Sequence, residues 1–234
     1  MSYIRLHVTA EGQTEKNFVK RVLEKHLAEY RVFTDCRCVL TSKDNRTRKE
    51  YRGGFRRAAA YTAVKKDIQT WLKEDKNSEC RFTTMFDYYA LPKDFPGMES
   101  IKNISDPYEK IRILENALKT DIGDNRFIPY IQLHEFESLI FVNPEMLETE
   151  YFDSSNGISK LRQDLLSVKD QNPELINDNY ETAPSKRIEA VIPDYDKANI
   201  GPEIVALIGI KKLQESCKHF NSWLEILENL AIDN

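Results

Sequence analysis

"VTAEGQTEKNF", residues 8–18, sets two carboxylates, Glu11 and Glu15, on either side of Gly12, directly after an apolar run. Upstream, Tyr3 to Val8 is short and β-rich, which predicts a strand that stops at this turn. Downstream, from Thr14 on, Phe18, Val19, Val22, Leu23 and Leu27 recur at helical spacing. The unit is therefore strand, acidic turn, helix. Two explanations of the acids compete. An acid in the first turn of a helix is stabilised by the helix dipole, by about 0.3–1 kcal/mol. Alternatively, the turn holds a metal ion at the end of a strand.

The same layout returns twice. "RFTTMF", residues 81–86, predicts a strand that runs into Asp87, and Phe127 to Leu133 predicts another that runs into His134-Glu135, with Glu137 close behind. Cys36 to Leu40 reads as a further strand. Residues 41–57 and 88–105 lack either period and read as loops. Ala58 to Leu72 reads as a helix with Val64, Ile68, Trp71 and Leu72 on one face. Asp106-Pro107 opens another helix, with Ile111, Leu114 and Leu118 as its buried stripe and Gly123 as its stop. Strands alternating with helices predict an α/β fold with a mostly parallel sheet flanked by helices. After Pro144 only short amphipathic helices follow, in "ISKLRQDLLSV", "SKRIEAVI", "PEIVALIGIKKL" and "SWLEILENLA". The expected organisation is an α/β core over residues 1–143 and a helical C-terminal extension over 144–234, packed on that core.

In an open parallel sheet, sites form outside the carboxyl ends of the strands. On neighbouring strands, Glu11, Asp87 and Glu135 converge there. Three carboxylates so close repel unless a cation lies among them or protons are shared. Hard oxygen ligands suit Mg2+ or Mn2+, which polarise a phosphate and activate water. The expected metal ligands are Glu11, Glu15, Asp87, Glu135 and Glu137, with Glu135 preferred over Glu137 because the two do not easily face one ion from a helix. Each acid also has a plainer reading: Glu15 as a helix-start acid, Asp87 as a turn residue, Glu135 as an exposed helix-start acid. Their repetition at three strand ends favours a site. His134, beside them, is a candidate hydrogen-bond donor to phosphate or carboxylate.

The chain has 234 residues, 41% hydrophobic and 31% charged, which suits a globular protein with a real core and excludes a disordered one. No apolar run approaches membrane-spanning length, and the first residues lack a signal-peptide layout, so a cytoplasmic protein is expected. Cys36, Cys38, Cys80 and Cys217 are irregularly spaced and are expected as buried thiols; zinc needs a second ligand pair that the spacing does not offer. The net charge of −4 is uneven: residues 1–100 hold 20 basic against 14 acidic residues, and residues 101–234 hold 14 against 24. The excess of base concentrates in residues 43–57, where Lys43, Arg46, Arg48, Lys49, Arg52, Arg56 and Arg57 face Asp44 and Glu50, with Tyr51 and Phe55 interleaved and Gly53-Gly54 permitting close backbone approach. Arg and Lys pair with phosphates and aromatic rings stack on bases, so this segment is a candidate nucleic-acid clamp. A solvated loop, or a dock for an acidic protein, stays open beside it. Phosphate-binding of the Gly-x-x-x-x-Gly-Lys-Ser/Thr kind is excluded, because the chain has no such motif.

"AEGQTEKNFVKRVL" resembles the first motif of the TOPRIM fold, a strand followed by Glu-Gly-x-Thr-Glu and a helix, shared by topoisomerases, primases and OLD-type nucleases. With "FDYYALPKDFPG", "LHEFESLIF", "KRIEAVIPDYDKANIGPEI" and "HFNSWLEILENL", nearly the whole chain resembles an uncharacterised TOPRIM-like bacterial family, domain of unknown function 4276. The resemblance implies that Glu11 matches the TOPRIM glutamate, a general acid/base or metal ligand. It implies that Asp87 matches the first acid of an Asp-x-Asp motif whose second acid is replaced here by Tyr89. It also implies a basic residue near the scissile phosphate, for which Lys186 or Arg187 are candidates. The function expected from all this is a metal-dependent nuclease on DNA or RNA, with Glu11, Asp87 and Lys186 as catalytic residues, serving as the TOPRIM subunit beside a partner ATPase in phage defence. A homo-oligomer is compatible with this reading. The alternative is a degenerate TOPRIM module that binds nucleic acid or regulates the ATPase. Acid/base chemistry on a glycoside is a third option, which the basic segment makes less attractive.

Overall fold

A computed structural model describes residues 3–43, 46, 50–54, 61–176 and 182–232. The order is β1 (Ile4–Ala10), α1 (residues 13–29), β2 (Val32–Cys38), β3 (Leu40–Lys43), β4 (Glu50–Arg52), α2 (Tyr61–Glu74), β5 (Cys80–Asp87), α3 (Pro107–Ile122), β6 (Phe127–Ile128) and β7 (Ile131–Gln132). Two short, tightly wound segments, Phe136–Val142 and Pro144–Thr149, lead into α4 (Ser155–Ser167), α5 (Pro184–Val191), α6 (Ile200–Ile208), α7 (Ile210–Ser216) and α8 (Lys218–Asn229). No helix among the described residues is long and apolar enough to cross a membrane.

β1 lies between β2 and β5, and β5 carries both β6 and β7 on its far side; all of these pairings are parallel. The chain leaves β1 toward one side and later returns to its other side, so β1 and β5 flank the point where strand order reverses. That is where open α/β sheets place their sites. A parallel sheet must be covered on both faces. Along β1, Ile4, Leu6, Val8 and Ala10 point to one core, shared with Phe18, Val22 and Leu27 of α1 and with Ile188, Ile204, Phe220 and Trp223 of the C-terminal helices. Phe82 and Phe86 of β5 point to a second core, with Ile68 and Trp71 of α2 and Leu114 and Leu118 of α3. Phe18, Phe136 and Phe220 are fully buried, each worth about 1.5–3 kcal/mol relative to exposure. Trp223 also donates its indole N–H to Thr83 Oγ1 of β5 at 3.0 Å.

Several expectations change in detail. The strand expected over Cys36 to Leu40 is Val32–Cys38, and Leu40 opens β3. The strand expected over Phe127 to Leu133 is split, because Pro129 has no N–H for the ladder. The Thr84 hydroxyl bridges the gap, accepting from Tyr130 N–H and donating to Tyr130 O, both at 2.9 Å. The segment 41–57 is not all loop: β3 and β4 form an antiparallel hairpin, too short and too mixed in composition to show a period. The helix expected from Ala58 begins in the described structure at Tyr61, and residues 55–60 lie outside the described residues. α3 starts at Pro107 with the Asp106 carboxylate accepting from Glu109 N–H, and ends at Gly123 with φ 71°, as its caps predict. In α1, residues 19–23 are wound as a π-turn inside an otherwise α-helical run. Such widenings recur near functional sites.

Candidate functional site

Because β1 and β5 are parallel neighbours, with Ala10 opposite Met85, both chains leave the sheet at the same edge. Glu11 N–H donates to Met85 O at 2.9 Å, and the Glu11 carboxylate accepts from Asp87 N–H at 3.0 Å. The ends of the two strands are thus joined through their acids. Glu15, in the first turn of α1, folds back to accept from Gly12 N–H at 2.7 Å. β7 delivers the third acidic end. After Leu133, His134 takes φ 62°, a left-handed conformation uncommon for residues other than glycine. The Glu135 carboxylate then accepts from Ser185 N–H at 3.0 Å, at the amino end of α5, where an anion is favoured. Glu137 is fully buried, with Lys197 Nζ at 2.7 Å.

Glu11, Glu15, Asp87, Glu135 and Glu137 therefore converge, and the ammonium among them is Lys197, from the loop between α5 and α6. Burial disfavours charge on Lys197, but Glu137, Asp87 and Glu135 more than offset this and its pKa is raised. Burial pushes Glu11 up to about 8, with Glu15 adding and the Asp87 N–H opposing. Burial pushes Glu137 up to about 7 against the pull of Lys197. Asp87 is held well above the usual carboxylate range by burial, then by Glu11 and Glu15. Glu15 is raised by burial too. Five acids share one ammonium, so the pocket holds protons that ordinary carboxylates lose at neutral pH.

Asp87 Oδ1, Glu137 Oε1 and the Tyr195 hydroxyl are buried with no hydrogen-bond partner among the described residues. Unsatisfied acid oxygens beside excess negative charge fit a hard cation. The acids face one another without closing on one point: among the described residues, no three of them bring one oxygen each within 4.8 Å of one another. An ion here would have to be held by one or two of these carboxylates and completed by water. Glu135 and Glu137 both act on Lys197, so the short turn at 136–142 lets them address one cation, contrary to the expectation from a regular helix. Tyr89, where a second acid was absent, lays its ring against His134 at 5.4 Å. Burial, then Lys110, lowers His134 to about 4, so it is neutral at pH 7.

Other expected site residues lie differently. Lys186 is exposed on α5 and pairs with Glu189 at 2.7 Å, and Arg187 pairs with Asp164 at 3.1 Å. Arg52 is bound into the fold: it pairs with Glu50 at 3.1 Å and donates to Cys38 O at 3.1 Å. Arg46 is exposed, Lys43 ends β3, and Arg48, Lys49, Arg56 and Arg57 lie outside the described residues. The hairpin is nonetheless anchored at the site. Gly53 N–H donates to Val39 O at 2.8 Å and Gly54 N–H to Glu11 O at 2.9 Å. Both glycines have positive φ, and a Cβ on Gly53 would lie 3.4 Å from the Gly12 Cα. Lys197 is the residue that sequence reasoning missed. Its one signal was a lysine set among acids in "PDYDKAN".

Fold and site together define an α/β protein with a mostly parallel sheet whose carboxyl edge carries an acidic pocket closed by a lysine. The chain belongs to the family described as Domain of unknown function (DUF4276), whose model matches residues 10–228. No curated protein and no solved structure matches it.

Proposed function

We propose that this protein hydrolyses phosphodiester bonds in DNA or RNA, with Mg2+ or Mn2+ held in the acidic pocket. The observation that carries this reading is the contact between Glu11 and Asp87 at neighbouring strand ends, with Asp87 Oδ1 buried and unpartnered beside it. The resemblance of the Glu11-Gly12 turn to the TOPRIM motif of OLD-type nucleases supports it. When bound, the ion would polarise the phosphate and acidify a water. Asp87, with Glu135 or Glu137, would hold it. Glu11, whose carboxyl retains its proton near neutrality, suits proton transfer at the scissile oxygen. Lys197 brings a positive charge to the same place. The hairpin, anchored on Glu11, would carry the backbone of the strand through its basic residues. Association with a partner ATPase in phage defence belongs to the same proposal and rests on the resemblance alone.

The test is cleavage of single- and double-stranded substrates with Mn2+ by wild type, Glu11→Gln and Asp87→Asn. Each substitution is expected to lower the rate by about 100-fold or more. Cleavage unchanged by both would refute the assignment. A second reading is favoured by Tyr89, which packs on His134 where an acid would stand: a module that binds nucleic acid or regulates a partner without cutting. Binding of Mn2+ and nucleic acid without cleavage by the wild type decides for it.

A further inference from the structure

The amino end of the same sheet holds a second polar cluster. The register puts Arg5 beside Cys80, and His7 beside Phe82 on one side and Asp35 on the other. Asp75, just after α2, reaches in from above. Its Oδ2 lies 3.1 Å from His7 Nε2 and 3.0 Å from an Arg5 nitrogen, and the Cys80 thiol is close enough to act on both Asp75 and Arg5. One ligand atom each from His7, Asp75 and Cys80 lies within 4.8 Å of the other two, and His7 and Cys80 are buried. Trp71 and Phe82, at 4.7 and 4.9 Å, fix the plane of the imidazole.

This network is unfinished as it stands. For Nε2 to donate to Asp75, it must carry the imidazole proton. In a neutral imidazole Nδ1 is then bare, and it is buried with no hydrogen-bond partner among the described residues. Asp35 Oδ2 stands 3.7 Å from Nδ1. A cation on Nε2 would reverse the tautomer and turn Nδ1–H toward that carboxylate, the usual arrangement around a metal-bound histidine.

We propose that His7, Asp75 and Cys80 bind a borderline divalent cation, zinc or cobalt in class, with water as the fourth ligand. The donor set is one nitrogen, one oxygen and one sulfur, at separations that small movements convert to bonds of about 2.0–2.3 Å. Thiolate and carboxylate together neutralise the dication. On binding, the thiol proton leaves to solvent and the imidazole proton moves from Nε2 to Nδ1, so one proton is released per ion. Arg5, whose side chain is 45% exposed, holds the place of the cation and swings out when it arrives. The site lies at the opposite end of β5 from Asp87, seven residues or about 23 Å away, and is independent of the acidic pocket. Sequence spacing could not reveal it, because its ligands come from three elements.

The test is titration of the full chain with Co2+, followed by absorption. A thiolate-to-cobalt charge-transfer band saturating at one equivalent is expected, lost in Cys80→Ser and retained when Cys36, Cys38 and Cys217 are all replaced by serine. The second variant keeps the test valid if Cys80→Ser fails to fold. Asp35→Asn should weaken binding by about 10-fold, and Arg5→Ala should tighten it by removing the competing charge. No band in the wild type, or a band that vanishes when only Cys80 remains, overturns the proposal. An imidazolium bridging Asp35 and Asp75 would give that result.

Discussion

Asp87 and Asp75 stand at opposite ends of one sheet, and their surroundings drive them in opposite directions. Asp87 is pushed well above the usual carboxylate range by burial and then by Glu11 and Glu15; Asp75 is held well below it, first by the Cys80 thiol, then by His7 and Asn77. The residue type is the same. What differs is burial first, and then whether like charges or hydrogen-bond donors fill the space around it. One end of the sheet is built around fixed donors, the other around acids in excess of their donors.

The bluntest way to break the carboxyl-end pocket is to loosen its helical cover. Trp223 stacks on Tyr130 at 4.1 Å and bonds to Thr83 in the middle of β5. Trp223→Ala should cost about 3–5 kcal/mol by denaturant unfolding.

The contrast between the two aspartates is sharpened by pH. Glu11 and Glu137 are raised from 4.5 to about 8 and about 7, so the folded state binds more protons than the unfolded chain. Their contribution is full below pH 4.5 and is lost as pH rises through 7 to 8. Asp75 is lowered from 3.8, so its contribution is present above that value and is lost on acidification. Metal-free protein should therefore be most stable at mildly acid pH, and Mg2+ should lift the alkaline side alone. Melting temperatures across pH with and without Mg2+ test this; a curve that Mg2+ raises equally at both ends would contradict it. The smallest effect separates two lysines. Lys186→Ala should alter stability by no more than about 0.5 kcal/mol, Lys186 being exposed and its pair with Glu189 half-exposed, whereas Lys197→Met should move the alkaline side of the pH curve.

Much of the carboxyl edge was legible in the sequence because it is written locally. An apolar run followed by an acid says where a strand stops, and Gly123 says where α3 stops. Lys197 was not legible, because its meaning depends on Glu137 and Asp87, distant in the chain. Lys186 stood out instead, as a lysine on a recognisable helix, and its neighbour Ser185 does reach Glu135 through its backbone. The hairpin was hidden for another reason: strands of four and three residues carry too few alternations to register as a period. The Pro129 break was visible as a residue, but its repair by Thr84 was not.

Gly54 N–H on Glu11 O has a mechanical consequence. A side-chain bridge between hairpin and acid would stretch and swivel, whereas this one is main chain to main chain. Whatever displaces the hairpin must therefore drag the glutamate's own peptide plane or snap the bond. The position of the hairpin and the orientation of the Glu11 turn are geared together without an intervening joint.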